Sequence, residues 1–301
     1  MKLRLLIASL SIVAVGAAVF IVSAQQPDDE VRGAFIESRP KTTNLTSPSR
    51  RHRRRPANAN ASASSNSLPS VSSEDMANAN TPGKPGRSKV TAHAIGLGYT
   101  LFMRDSDGRS VRVEPTREFR NGDRIRLALE PNVDGYLYIF DVEGGGTPQM
   151  IYPDARLDGG ENWIEAHVPL EIPSSDEAEE RLRWFEFYGQ PGGDRIYVVL
   201  AREPLKSVPA SDELVAFCGM NKDKCPWRPS AEVWQQIQDA TKAEVKVATS
   251  KSFGQAQSDK EKIATTRGLG LDRSAPQPSV IRMNASTSTP ILVTVLDLIH
   301  K

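Results

Sequence analysis

The sequence predicts a mainly β protein: an antiparallel β-sandwich-like domain with C-terminal helices and a terminal strand, following a disordered linker. Three observations predict it. From Val90 to Leu205, short alternating or uniformly apolar runs recur at regular spacing. Gly, Pro, Asn and Asp separate them, as tight turns require. Before them, Gln25 to Ser88 is rich in Ser, Asn, Ala, Pro and Arg, and buries too little apolar surface to offset its conformational entropy. The 301 residues carry a net charge of +1 and are 39% hydrophobic, enough for one domain with tails. A balanced charge excludes a general polycation. The organisation expected is a signal peptide or N-terminal membrane anchor over 1–24, a linker over 25–88, a β-sandwich over 89–205 and a helical extension with a terminal strand over 206–301.

At the N-terminus, Lys2 and Arg4 precede an apolar run from Leu5 to Val22, and Val22-Ser23-Ala24 offers a small-residue cleavage site. The run is also near the shortest length that spans a bilayer, so a retained anchor stands beside a cleaved signal. Either places the rest outside the cytoplasm, because the basic flank comes first and Asp28, Asp29 and Glu30 come after. Within the linker, Arg50, Arg51, Arg53, Arg54 and Arg55 form a basic cluster. Three readings apply: a solvated charge run, attachment to an anionic envelope surface, or nucleic-acid binding, the last opposed by the export signal.

The strands come in order. "GYTLFMRDSDGRSVRVEP" reads as a hairpin, with Leu101 and Met103 on one face and Val111 and Val113 on one face. Its Asp-x-Asp-Gly lacks the distal Glu of a calcium loop, so a turn is the better reading. "FRNGDRIRLALEP" alternates, with Ile125, Leu127 and Leu129 opposite Arg124, Arg126 and Ala128, as in a half-buried strand. "YLYIF" is uniformly apolar, as in a strand covered on both faces. Leu137 and Ile139 should face the core and Tyr136 and Tyr138 the other side, where they are a candidate binding face if that side is open. "PQMIYP", "NWIEAHVPLEIP", "RLRWFEFYG" and "DRIYVVLAREPL" continue the pattern. "SSDEAEERLRW" between them is a helical turn or an acidic loop.

After Pro204, "SDELVAFCG" reads as a helix with Ser211 as N-cap and Gly219 as its stop. "SAEVWQQIQDATKAEVKVA" reads as a helix capped by Ser230, with Val233, Trp234 and Ile237 at helical spacing. Residues 249–279 are polar and mobile by composition. "ILVTVLDLIHK" is an apolar terminal strand that needs a partner within the domain, or within a neighbouring copy. Cys218 and Cys225 are the only cysteines; a small disulfide loop, free thiols and a metal site are all open, and the disulfide suits an oxidising compartment.

Motifs that carry chemistry are scarce. There is no zinc-protease motif, nucleophile elbow or phosphate loop, and no metal or cofactor is implied. A Cys218–His167 pair can be assembled on paper, but Cys225 is the simpler partner. The strand aromatics are either core or a groove for glycan or peptide.

The run "FRNGDRIRLALEPNVDGYLYIFDVEGGGTPQMIYPD", with "RIYVVLAREPL" after it, resembles the bacterial family catalogued as domain of unknown function 4384. The resemblance rests on Gly122-Asp123, Asp134 to Tyr138 and Tyr152-Pro153, and covers Gly98 to Leu205. The C-terminal third, through "ELVAFC", "CPWRP" and "ILVTVLDLIHK", resembles a secreted or envelope-associated subgroup. The family also occurs fused to protease-like or kinase-like domains, which implies an accessory binding or targeting role; it brings no active site to transfer. The expectation is therefore an exported, non-catalytic module for a cell-wall component or an envelope partner protein. A structural role for the terminal strand and an unrecognised hydrolase are the rivals.

Overall fold

A computed structural model describes residues 27–42 and 93–301. The signal or anchor over 1–24 and the arginines Arg50, Arg51, Arg53, Arg54 and Arg55 lie outside them. No described helix is long and apolar enough to cross a membrane.

Among the described residues, thirteen strands form two sheets. The hairpin expected at Asp105 to Gly108 joins β1 (Gly96–Arg104) to β2 (Ser110–Val113), with Leu101 opposite Val113 and Met103 opposite Val111. Asp105 makes the turn: its carboxylate accepts the backbone N–H of Asp107 and of Arg109, while Gly108 takes a positive φ. Then come β3 (Glu118–Phe119), β4 (Arg124–Pro131), β5 (Gly135–Glu143), β6 (Gln149–Tyr152), β7 (Trp163–Ile164), β8 (Leu170–Ile172), β9 (Phe185–Glu186) and β10 (Gly192–Ala201). The acidic segment before β9 forms a short 3-10 turn, Glu180–Arg183. The alternation in "NWIEAHVPLEIP" yields only the short β7 and β8, because the chain between them breaks around His167, whose φ is 60°.

The C-terminal third is woven in. Helices α2 (Ser211–Met220) and α3 (Ala231–Ala240) precede β11 (Val245–Thr249), α4 (Asp259–Arg267), β12 (Val280–Asn284) and β13 (Ile291–His300). Ser230 caps α3 by accepting the N–H of Val233, as expected; Ser211 does not cap α2 but begins it, with Ala210 at the cap position. Two expectations are corrected. Helix α3 ends ten residues in and Val245 onward is a strand, since the β-branched Val-Lys-Val-Ala-Thr finds an antiparallel partner in β12. Within the stretch expected to be mobile, α4 forms, held by a capping box between Ser258 and Glu261 and closed by Gly268 in the left-handed conformation.

One sheet runs β11-β12-β1-β4-β8, with β2 also on β1 and β9 also on β4. The other runs β3-β13-β10-β5-β6, with β7 also on β5. Pairing is antiparallel except between β13 and β3. Leu97, Leu101, Leu127 and Leu129 of the first sheet meet Leu137, Ile139, Val198 and Leu200 of the second in the main core. The terminal strand is not free: every residue of β13 faces a partner on β10. The extension over 206–301 thus supplies strands to both sheets, two more than the terminal strand expected from the sequence.

The largest departure lies at the N-terminus. Residues 27–42, placed by composition within the 25–88 linker, are folded. Helix α1 (Pro27–Glu37) opens with Pro27 and an acidic first turn, as a helix N-terminus favours. Val31 and Phe35, four residues apart, share one face and pack on Ala248, Ile281 and Met283. Gly98 admits this packing: a Cβ there would stand 2.4 Å from Pro278 Cγ and 3.1 Å from Phe35 Cζ.

Candidate functional site

The alternation of β4 sends its charged side chains to one side of the first sheet. With Ile125, Leu127 and Leu129 in the core, Arg126, Ala128 and Glu130 point to the outer face. That face is not solvated. Segment 250–278 covers most of it and α1 with its C-terminal tail reaches its edge, so Arg112, Arg126, Glu130 and Glu171 are buried charges. Such charges persist only when paired and hydrogen-bonded. Arg112 pairs with Glu261 of α4 and donates to Thr100 and to the Gln277 carbonyl. Arg126 donates twice to the Arg183 carbonyl, at 3.0 and 2.9 Å, and lies 4.0 Å from the Trp184 ring centroid.

The densest cluster forms where the tail of α1 meets β4. Arg39 is 1% exposed and Glu130 4%. Their pairing is bidentate: Nε to Oε1 at 2.8 Å and Nη2 to Oε2 at 2.7 Å. The remaining Arg39 donors reach the carbonyls of Asp272 (3.3 Å), Ala275 (2.9 Å) and Pro276 (3.0 Å), so its whole donor fork is used. His167, 2% exposed, places Nδ1 2.8 Å from Glu130 Oε1 and Nε2 2.9 Å from Ser38 Oγ. Its backbone is fixed too: its N–H donates to the Pro131 carbonyl and its carbonyl accepts from Leu271, both at 2.7 Å. Burial pushes the Glu130 carboxyl up, but hydrogen bonds from His167 and Arg39 and the Arg39 charge outweigh it, and its pKa falls below the ordinary value.

Ser38, His167 and Glu130 have the atom order of an acyl-transfer triad. Three features argue for a lock instead. The Ser38 hydroxyl has one proton and two acceptors within reach, the Phe35 carbonyl at 2.6 Å and His167 Nε2 at 2.9 Å, so the carbonyl competes with the imidazole for it. Ser38 comes just after the C-terminus of α1, where carbonyl dipoles would oppose an oxyanion. Glu130, the orienting acid, is saturated by Arg39. The arrangement can hold a peptide segment in place.

The residues singled out from sequence fall elsewhere. Tyr138 is 0% exposed, and its hydroxyl accepts the Leu205 N–H at 3.0 Å. It packs with Phe140, Tyr197, Val208, Leu214, Val233 and Ile237, because α2 and α3 cover the outer face of β5. Tyr136 is half-buried edge-to-face on Trp163 at 5.1 Å. Tyr138 therefore belongs to a second core, and the half-buried Tyr136 packs at its margin. Cys218 and Cys225 form a disulfide, which removes the paper pairing of Cys218 with His167. No group of three metal-ligating side chains is assembled among the described residues.

An open surface exists at one end of the sandwich. Arg117, Glu118, Arg120, Asn121, Asp123 and Lys301 line a concavity of about 740 Å³. Arg117 lies 3.8 Å from Asp123, and Lys301 pairs with Glu118. Arg120 has no ion-pair partner among the described residues. The adjoining loop is tied in by Gly122 N–H to the Phe187 carbonyl (2.9 Å) and presents Tyr188, 83% exposed. Of this surface the sequence offers only Tyr188, among the strand aromatics, and Asp123, within the resemblance; no pattern marks Arg117, Arg120 or Lys301, or Ser38 or Arg39, as site residues. For the latter pair the one available signal was Pro-Asp-Asp-Glu ahead of Val31 and Phe35 at helical spacing.

Fold and site define a two-sheet β domain that carries its own N-terminal segment docked on one sheet and an open polar concavity at one end. Residues 118–204 match the family model described as Domain of unknown function (DUF4384). The resemblance read from the sequence holds over that span, which runs from β3 to just past β10 and leaves β1, β2 and β11 to β13 outside it. No curated protein and no solved structure matches the chain.

Proposed function

We propose that this protein is an exported bacterial accessory module that binds an anionic cell-wall component and does not itself catalyse a reaction. The export-like N-terminus and the Cys218–Cys225 disulfide support an oxidising compartment outside the cytoplasm. The observation that carries the binding reading is the concavity lined by Arg117, Arg120 and Lys301 with Glu118 and Asp123, in which Arg120 has no ion-pair partner among the described residues, and an exposed tyrosine beside it. Cations with a neighbouring exposed ring suit a polymer that offers acidic groups and sugar faces. The terminal strand is engaged in its own sheet, which disfavours strand donation to a neighbour.

The test is co-sedimentation of the purified protein with cell-wall sacculi, compared with the Arg120→Glu/Tyr188→Ala variant. Retention of the wild type, reversed by salt and lost in the variant, is expected. Equal retention of both, or no retention of either, sinks the reading.

A further inference from the structure

We propose that residues 27–42 act as a self-ligand: a helical peptide held by the domain through non-covalent contacts, so that the N-terminal region stays attached even when the chain between 43 and 92 is cut. The proposal is independent of the concavity. Its contacts resemble a peptide complex of the helix-in-groove kind. Val31 and Phe35 are anchors four residues apart on the seat made by β11 and β12. Arg32 donates to Gln277 Oε1 at 2.9 Å and to the Thr249 carbonyl at 2.8 Å, which fixes the position of the helix along that seat.

Arg39 then enters an acceptor site with Glu130 as its floor and three carbonyls of the 272–276 turn as its walls. Arg273 completes the hold from outside, donating to the Glu37 and Arg39 carbonyls. Every one of these partners comes from residues beyond position 93. The contacts therefore do not depend on the covalent path from Thr42 to His93. The peptide this surface fits is an amphipathic helix with Ser-Arg-Pro directly after it. The consequence is mechanical: whatever holds residues before Pro27 also holds the domain, and a break within 43–92 does not release it.

The experiment uses the full chain, purified in mild detergent, with a site for an added specific protease inserted between Ser65 and Asn66. After cleavage, gel filtration reads whether the N-terminal piece travels with the domain. Co-elution at micromolar concentration is expected for the wild type, and separation for Arg39→Ala, whose dissociation constant should rise by about a hundredfold or more. Separation of the wild-type piece overturns the proposal, and so does co-elution of the Arg39→Ala piece. If the Arg39→Ala chain does not fold, synthetic 27–42 peptides with and without that change are added in excess to the nicked wild type. Displacement by the native peptide alone supports the proposal; equal behaviour of the two peptides overturns it.

Discussion

Replacing Arg39 with alanine is the sharpest perturbation of this fold. The change removes both hydrogen bonds to Glu130 and those to three carbonyls, and leaves a carboxylate buried with His167 as its remaining partner. Breaking a buried ion pair from one side costs about 3–5 kcal/mol, because the orphaned charge keeps its desolvation penalty. That is a large share of the roughly 5–15 kcal/mol that holds an ordinary domain together. Urea unfolding at neutral pH should show it as a lower midpoint. Changing Glu130→Gln in the same chain should recover part of the loss, since the stranded charge is then gone.

Acidity offers an independent reading of the same pair. The Glu130 pKa is lowered in the fold, so its contribution is full above the unfolded carboxylate value, about 4.3, and is lost as pH falls through the lower folded value. In Arg39→Ala this acid-side loss should shrink. A destabilisation below about 1 kcal/mol, or an acid limb unchanged by the substitution, would refute the assignment of Arg39 and Glu130 as the lock.

Burial elsewhere in the domain sets two further outcomes. Burial, with Asp194 and Glu143 nearby, raises the Asp141 carboxyl, against the hydrogen bonds it receives from Gln149 and the Val142 backbone. Its charged form opposes folding, so stability should rise as pH falls through the raised value, and Asp141→Asn should raise the urea midpoint at neutral pH and flatten that rise. Tyr138→Phe leaves the part-buried Leu205 N–H without this acceptor and should cost about 1 kcal/mol while leaving sacculus retention unchanged; a loss of retention at constant stability would return Tyr138 to a binding role.

The sequence by itself determined the strands whose pattern repeats locally. The Asp105 turn, the alternation of Ile125, Leu127 and Leu129, and the two-sided apolarity of "YLYIF" are each decided by neighbours within a few residues. It likewise placed a Ser230 cap ahead of a helical run, while the Cys218–Cys225 bond, one of three readings open in the sequence, is settled by the fold. What it left open was which faces are covered. Tyr138 looks the same on a bare sheet as under α2 and α3, and only the packing of those helices makes it core.

Tertiary structure also decided the fate of segments whose own composition is too polar to predict order. Residues 250–278 and 27–42 fold because their few apolar side chains and their charges find partners far away in sequence: Phe35 against β12, Glu261 against Arg112, Arg39 against Glu130. A charge in a linker and a charge in a buried bidentate pair are the same letter in the sequence. Only the fold shows that Glu130, on the outward face of an amphipathic strand, lies under a cover that makes a partner obligatory.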